Sequence, residues 1–76
     1  MKLEAYIEEL LELMERDEPI DASMRIEDLS EWDSMARISF ISFLDAEFGI
    51  QVSTDRLAQC ITVADLIALA SDKLES

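Results

Sequence analysis

The stretch DSMARISFISFLDAEFG, residues 33–49, decides the fold of this chain. Its first residue, Asp33, can act as an N-cap, because its carboxylate can accept hydrogen bonds from the free amides of a first helical turn. Its last residue, Gly49, readily takes the left-handed conformation that ends a helix. The spacing of the apolar residues in between predicts a helix from about Ser34 to Phe48.

Steps of about 100° per residue divide this helix into two unequal faces. The broad face should pack in the core, and its residues are Ala36, Phe40, Ile41, Phe43, Leu44 and Phe48. The opposite face is mostly polar, with Ser34, Ser39, Ser42 and Asp45, but it also holds Met35 and Ile38. These two are either ordinary exposed apolar residues, residues covered by a loop, or a docking site for a partner, and the angles alone do not distinguish the three.

The rest of the chain predicts two further main helices and one short helix. Residues 2–16 interleave apolar and acidic side chains with helical spacing, and Pro19 cannot continue that helix. A short helical turn is expected at residues 54–59, followed by a last helix from about Val63 to Leu74. The predicted fold class is therefore all-α, a small four-helix bundle with three main helices and one short helix.

Two local features support this arrangement. Residues 17–33 form a long connection between the first two helices. A connection of this length usually carries function or packs against the core through its apolar residues, which are here Ile20, Met24, Ile26 and Leu29. At the start of the last helix, Thr62 and Asp65 have the spacing of a capping box.

Size and composition limit the possible functions. We expect the 76 residues to form one domain, residues 1–76. The chain has no histidine and one cysteine, so Ser–His and Cys–His nucleophilic pairs are excluded and a zinc site is disfavoured. A single glycine cannot build a Gly-rich phosphate loop. No apolar run reaches the ~18 residues that span a bilayer, and no signal peptide is evident at the N-terminus, so we expect a cytoplasmic protein.

The charge is strongly negative. Eighteen acidic residues against six basic ones give a net charge of −12. Such a chain is a poor ligand for nucleic acid, whose phosphates are neutralised by Lys and Arg. Basic protein surfaces are the natural partners, because opposite charge speeds their encounter.

The segment DLSEWDSM, residues 28–35, resembles the Asp-Ser-Leu attachment motif of acyl carrier proteins of the free-standing type. The resemblance continues along the apolar positions of the following helix to Glu47 and Phe48, and then to Thr62 and Val63. It covers roughly residues 28–70. The motif together with the apolar spacing after it is more specific than the motif alone.

The resemblance implies a function. Ser34 would receive 4′-phosphopantetheine from coenzyme A through a separate phosphopantetheinyl transferase, with Asp33 as the flanking motif residue. The thiol of the arm would hold acyl or aminoacyl groups as thioesters, and the carrier, a monomer, would do no chemistry itself. Acyl-transferring or acyl-activating enzymes with basic surfaces would dock on the second helix at Met35, Ile38, Arg37 and Ser42. The pathway would be fatty-acid, polyketide or specialised lipid synthesis.

The chain departs from the fatty-acid members of that family at several positions. Ser39 and Ser42 stand where acids or larger residues are frequent, Arg37 adds a positive charge, and Met35 replaces the commoner leucine. These departures favour a partner set that differs from that of housekeeping fatty-acid synthesis. The alternative function is an acidic helical interaction module that needs no prosthetic group.

Self-repulsion of the net charge of −12 should destabilise the folded chain. We therefore expect the melting temperature to rise when salt or a divalent cation is added, because screening weakens repulsion between surface charges. Circular dichroism melts at constant pH and increasing NaCl measure this effect. A melting temperature that stays constant with salt would contradict it.

Overall fold

The first helix, α1, spans Leu3–Met14 in the computed structural model, which describes residues 1–75. It ends two residues before the predicted limit of residue 16, because Glu15 takes a left-handed conformation with φ of 54°. The amides of Glu15 and Arg16 then donate back to the carbonyls of Glu12 and Leu11, which is the double closure of a Schellman motif. No glycine marks this end, so the sequence pattern did not reveal it.

The second helix, α2, spans Ser34–Phe48, as predicted. The Asp33 carboxylate accepts a hydrogen bond of 2.9 Å from the amide of Ala36 at its start. At its end Gly49 has a φ of 70°, and the amide of Ile50 donates to the carbonyl of Leu44 at 3.2 Å. Both ends of α2 are therefore closed by the residues that the sequence identified.

The predicted faces of α2 are also observed. Ala36, Phe40 and Leu44 are fully buried against the other helices. The remaining members of the predicted core face are partly buried and pack around that centre: Ile41, Phe43 and Phe48. On the opposite side, large fractions of the Met35 and Ile38 side chains are exposed. The loop does not cover them, which removes one of the three explanations for their position.

The long connection folds down onto the core. It contains a 3₁₀ helix, Ile26–Asp28, and buries Ile26, Leu29 and Trp32. Backbone hydrogen bonds tie it to the segment that leads into the last helix: the amide of Ile26 donates to the carbonyl of Ile61, and the amide of Val63 donates to the carbonyl of Met24, both at 2.9 Å. The predicted packing of this connection through apolar residues is therefore confirmed.

The short third helix, α3, spans Thr54–Ala58, and the fourth, α4, spans Val63–Ala68. The capping box of α4 is present, with the Asp65 carboxylate accepting from the amides of Ile61 and Thr62. These hydrogen bonds lower the pKa of Asp65 below its ordinary value.

The prediction that the last helix reaches Leu74 was wrong. The helix ends at Ala68, and a 3₁₀ helix, Ser71–Lys73, follows. The Tyr6 hydroxyl of α1 donates to the carbonyl of Leu66 at 2.7 Å. The amide of Ala70, which would reach that carbonyl in a continuing α-helix, donates to Ile67 instead and closes a tighter turn. A tertiary hydrogen bond therefore competes with the helix at this point.

The described residues form a small all-α fold of four helices without a strand, as predicted. One apolar cluster joins all four helices and the long connection. Tyr6 lies at its centre, with its ring 6.2 Å from that of Phe40 and 5.9 Å from that of Phe43. Burial raises the pKa of the Tyr6 hydroxyl well above its ordinary value, so it remains a hydrogen-bond donor at neutral pH.

Replacing Tyr6 with Phe should lower the free energy of unfolding by about 1–3 kcal/mol, because the buried carbonyl of Leu66 loses its donor while the aromatic contacts are kept. Urea denaturation followed by circular dichroism measures the change. Equal stability of the Tyr6→Phe variant and the wild type would show that the hydroxyl contributes little.

Candidate functional site

Ser34 is the first residue of α2, and its side chain is exposed to solvent. The cap at Asp33 holds the backbone of this turn, because the carboxylate binds the Ala36 amide and the Asp33 carbonyl accepts from the amide of Arg37. The Ser34 hydroxyl is therefore presented to solvent from a rigid helical turn. Such a hydroxyl is open to modification by another enzyme.

A cation lies directly beside this hydroxyl. Arg37 is one turn further along α2, and its Nη2 donates a hydrogen bond of 3.0 Å to Ser34 Oγ. The Arg37 side chain is half-buried, unlike the exposed Arg25 and Arg56. The sequence placed Arg37 on the docking face; the structure adds that its guanidinium contacts the hydroxyl itself.

Two apolar side chains flank Ser34 on the outer side of α2. Met35 is 74% exposed and Ile38 is 63% exposed. Ser42 is also exposed, one turn beyond Ile38, so it extends the same surface. The structure adds Ile61, which is 58% exposed and was not identified from the sequence. Its exposure depends on how the segment before α4 packs, which no local pattern reports.

A groove of about 590 Å³ opens beside Ser34, between α2, α3 and the first 3₁₀ helix. Ser34 and Arg37 line it together with apolar residues that include Trp32, Ile41 and Leu57. Its volume is within the range of sites that bind small ligands, ~300–1,000 Å³. Sequence reasoning did not find this groove, because its walls come from three segments that are distant along the chain.

Cys60 also lines the groove, where its side chain is half-buried. Burial raises the pKa of the thiol above its ordinary value, and the negative charge of Asp65 raises it further. The thiol is therefore protonated at neutral pH and a weak nucleophile, which fits a packing role in the groove wall.

Residues 1–75 contain no group of three or more His, Cys, Asp or Glu side chains positioned to hold a metal ion. Over the same residues, each helix is too short or too polar to cross a lipid bilayer. The chemical features that the described chain does combine are a presented hydroxyl, an adjacent guanidinium, an apolar outer face and a groove.

One comparison with known proteins found a match. A family model described as a phosphopantetheine attachment site matches residues 2–70. The matched range contains all four helices, the long connection and Ser34. Searches of curated proteins and of solved structures each returned no match.

Proposed function

The chain belongs to the phosphopantetheine attachment family, and on that premise we propose that it is an acyl carrier protein whose arm is attached to Ser34. Members of this family hold 4′-phosphopantetheine covalently, and its thiol binds acyl groups as thioesters. The observation that carries the proposal is the exposed hydroxyl of Ser34 at the start of α2, within the range that the family model matches.

The surroundings of Ser34 fit a phosphate-linked group. The hydroxyl is accessible, a guanidinium lies 3.0 Å from its oxygen, and a groove with apolar walls begins beside it. In the attachment step, Ser34 Oγ forms a bond to the phosphorus of coenzyme A that bears the pantetheine. The pyrophosphate bond breaks and adenosine 3′,5′-bisphosphate leaves. The hydroxyl proton passes to a base of the transferase.

We propose that the chain carries cargo and does not transform it, with residues 1–76 acting as one carrier domain. The sequence has no histidine, which excludes a Ser–His pair, and the side chain that contacts the Ser34 hydroxyl is Arg37, which stays protonated and is no base. We therefore assign the proton acceptor for attachment to the transferase, and reactions of the cargo to partner enzymes.

Charge and surface composition support a role in docking for the outer side of α2. A net charge of −12 favours partners with basic surfaces. The exposed Met35 and Ile38 supply apolar contacts next to the attachment point, and Ser42 and Arg37 complete the proposed docking surface. We propose that these partners are cytoplasmic enzymes of a fatty-acid, polyketide or specialised lipid pathway. A specialised pathway is favoured, because few acids lie on the outer side of α2.

Incubating the protein with coenzyme A and a broad-specificity phosphopantetheinyl transferase should add one arm, seen by intact-mass spectrometry. The Ser34→Ala variant should gain nothing, because the accepting oxygen is absent. Ser30→Ala is the matched control, since it removes another exposed hydroxyl near α2 and should still be modified. If several such transferases leave the wild type unmodified, an acidic interaction module without a prosthetic group becomes the better description.

Met35→Glu and Ile38→Asp should each lower kcat/KM for the transferase by roughly tenfold, equivalent to ~1.4 kcal/mol, because a charged residue cannot replace an apolar anchor at an interface. The control is Ala68→Glu, which adds a charge at an exposed position on α4, outside the proposed docking surface. Helicity of all three variants should equal that of the wild type. Equal kcat/KM values for the Met35 and Ile38 variants and the control would contradict a docking role.

A further inference from the structure

The guanidinium of Arg37 has a hydroxyl partner and no carboxylate partner in residues 1–75. The ion pairs in this part of the chain belong to Arg16, with Glu18 and Glu31, and to Arg25, with Glu27. Glu27 lines the same groove as Arg37, but its carboxylate is 2.7 Å from the guanidinium of Arg25. Arg37 therefore keeps its positive charge available at the point where Ser34 opens to solvent.

The acid that caps α2 does not neutralise Arg37 either. The Asp33 carboxylate accepts from the amide of Ala36 at 2.9 Å and forms no ion pair with Arg37. Only six of the 76 residues are basic, and one of them, the half-buried Arg37, contacts the exposed Ser34. An anion attached to Ser34 would give Arg37 the negatively charged partner that it lacks in residues 1–75.

A phosphodiester on Ser34 Oγ is such an anion. Its two non-bridging oxygens are two bonds from Oγ, and the guanidinium already lies 3.0 Å from Oγ. The planar fork of an arginine side chain matches the geometry of phosphate oxygens and can donate to both of them. The other charged group at this helix start, Asp33, would repel the phosphate, so the pull of Arg37 decides on which side of α2 the phosphate lies.

We infer that Arg37 is a positioning residue that binds the phosphodiester on Ser34 and directs the first part of the arm along the groove between α2 and α3. This inference rests on the proposed attachment at Ser34. Ser34 and Arg37 both line the groove, so an arm whose phosphate is bound by Arg37 begins its path against Ile38 and Ile41. Without this contact, the arm leaves Ser34 freely into solvent.

Arg37 then has two roles: it binds the arm of its own carrier, and it forms part of the docking surface. Pairing of Arg37 with the phosphodiester is an interaction near the surface, so salt should weaken it. A basic partner that offers its own cation to the same phosphate competes with Arg37 and frees the arm from the groove. In the free carrier this contact therefore holds the arm in the groove, and docking of a basic partner releases the arm.

The test compares unmodified and modified protein by nuclear magnetic resonance, with complete modification verified by intact mass. In the wild type, the Nε–H resonance of Arg37 should shift on modification while that of Arg56 stays in place. Nuclear Overhauser contacts should join the methyl groups next to the phosphate of the arm to Ile38 or Ile41. This comparison needs no variant, so it does not depend on whether a variant folds.

Variants give a second readout through the phosphorus resonance of the modified protein. In Arg37→Gln this resonance should move and the contacts from the arm to Ile38 or Ile41 should be lost, whereas in Arg37→Lys, which keeps the charge, the change should be smaller. Arg56→Gln is the matched control, because it removes the same charge at an exposed position outside the groove, and its phosphorus resonance should match that of the wild type. High NaCl should move the wild-type resonance towards that of Arg37→Gln.

Two results would overturn the inference. One is an Arg37 resonance that does not change on modification. The other is a phosphorus resonance that is the same in the Arg37→Gln and Arg56→Gln proteins. Failure of the wild type to take up the arm at all is a different result, since it rejects attachment at Ser34 before the role of Arg37 is reached.

Discussion

The hydrogen bond from the amide of Ala36 to the carboxylate of Asp33 is the contact on which the site depends, because it defines the first residue of α2. Once the helix begins at Ser34, the helical period of about 3.6 residues fixes the direction of every side chain that follows. Ala36, Phe40 and Leu44 enter the core, and Ser34 and its apolar neighbours face solvent. Without this cap the first turn of α2 would fray, and Ser34 would lose the helical backbone that holds its side chain in place. One cap therefore joins the stability of the fold to the position of the function.

The core that receives α2 is small, and it contains a polar group that also shapes the chain. The Tyr6 hydroxyl satisfies the carbonyl of Leu66 inside the apolar cluster, at the point where the α-helical hydrogen bonds of α4 stop. The last helix is short and closes with a tighter turn. Backbone hydrogen bonds between the long connection and residues 61–64 then hold α4 against the rest of the fold. The first 3₁₀ helix, which belongs to that connection, forms one wall of the groove beside Ser34.

The side chain that contacts Ser34 is positively charged, whereas the chain as a whole is strongly negative. Acids dominate the sequence and favour basic partners, yet the residue in contact with Ser34 is an arginine. In the proposed carrier, a phosphate on Ser34 would lie next to the acidic cap, and Arg37 would offset the repulsion from Asp33. On this proposal the overall charge acts on approaching enzymes, and the local charge acts on the arm.

Sequence alone determined the bounds of α2, its two faces and the capping box of α4, because caps and helical periodicity are local properties that neighbouring residues impose on one another. The candidate attachment at Ser34 also came from the sequence, but through the resemblance of residues 28–35 to a family motif. The sequence also placed Arg37 on the docking surface, but the contact with Ser34 is known only from the structure. The end of α1 at Glu15, the early end of α4, the exposure of Ile61 and the groove were decided by tertiary structure alone. These four features depend either on groups that are distant along the chain or, at Glu15, on a backbone conformation that the residue type does not predict. A hydroxyl in α1 contacts α4 where that helix ends, and three separate segments must pack together before the groove beside Ser34 exists.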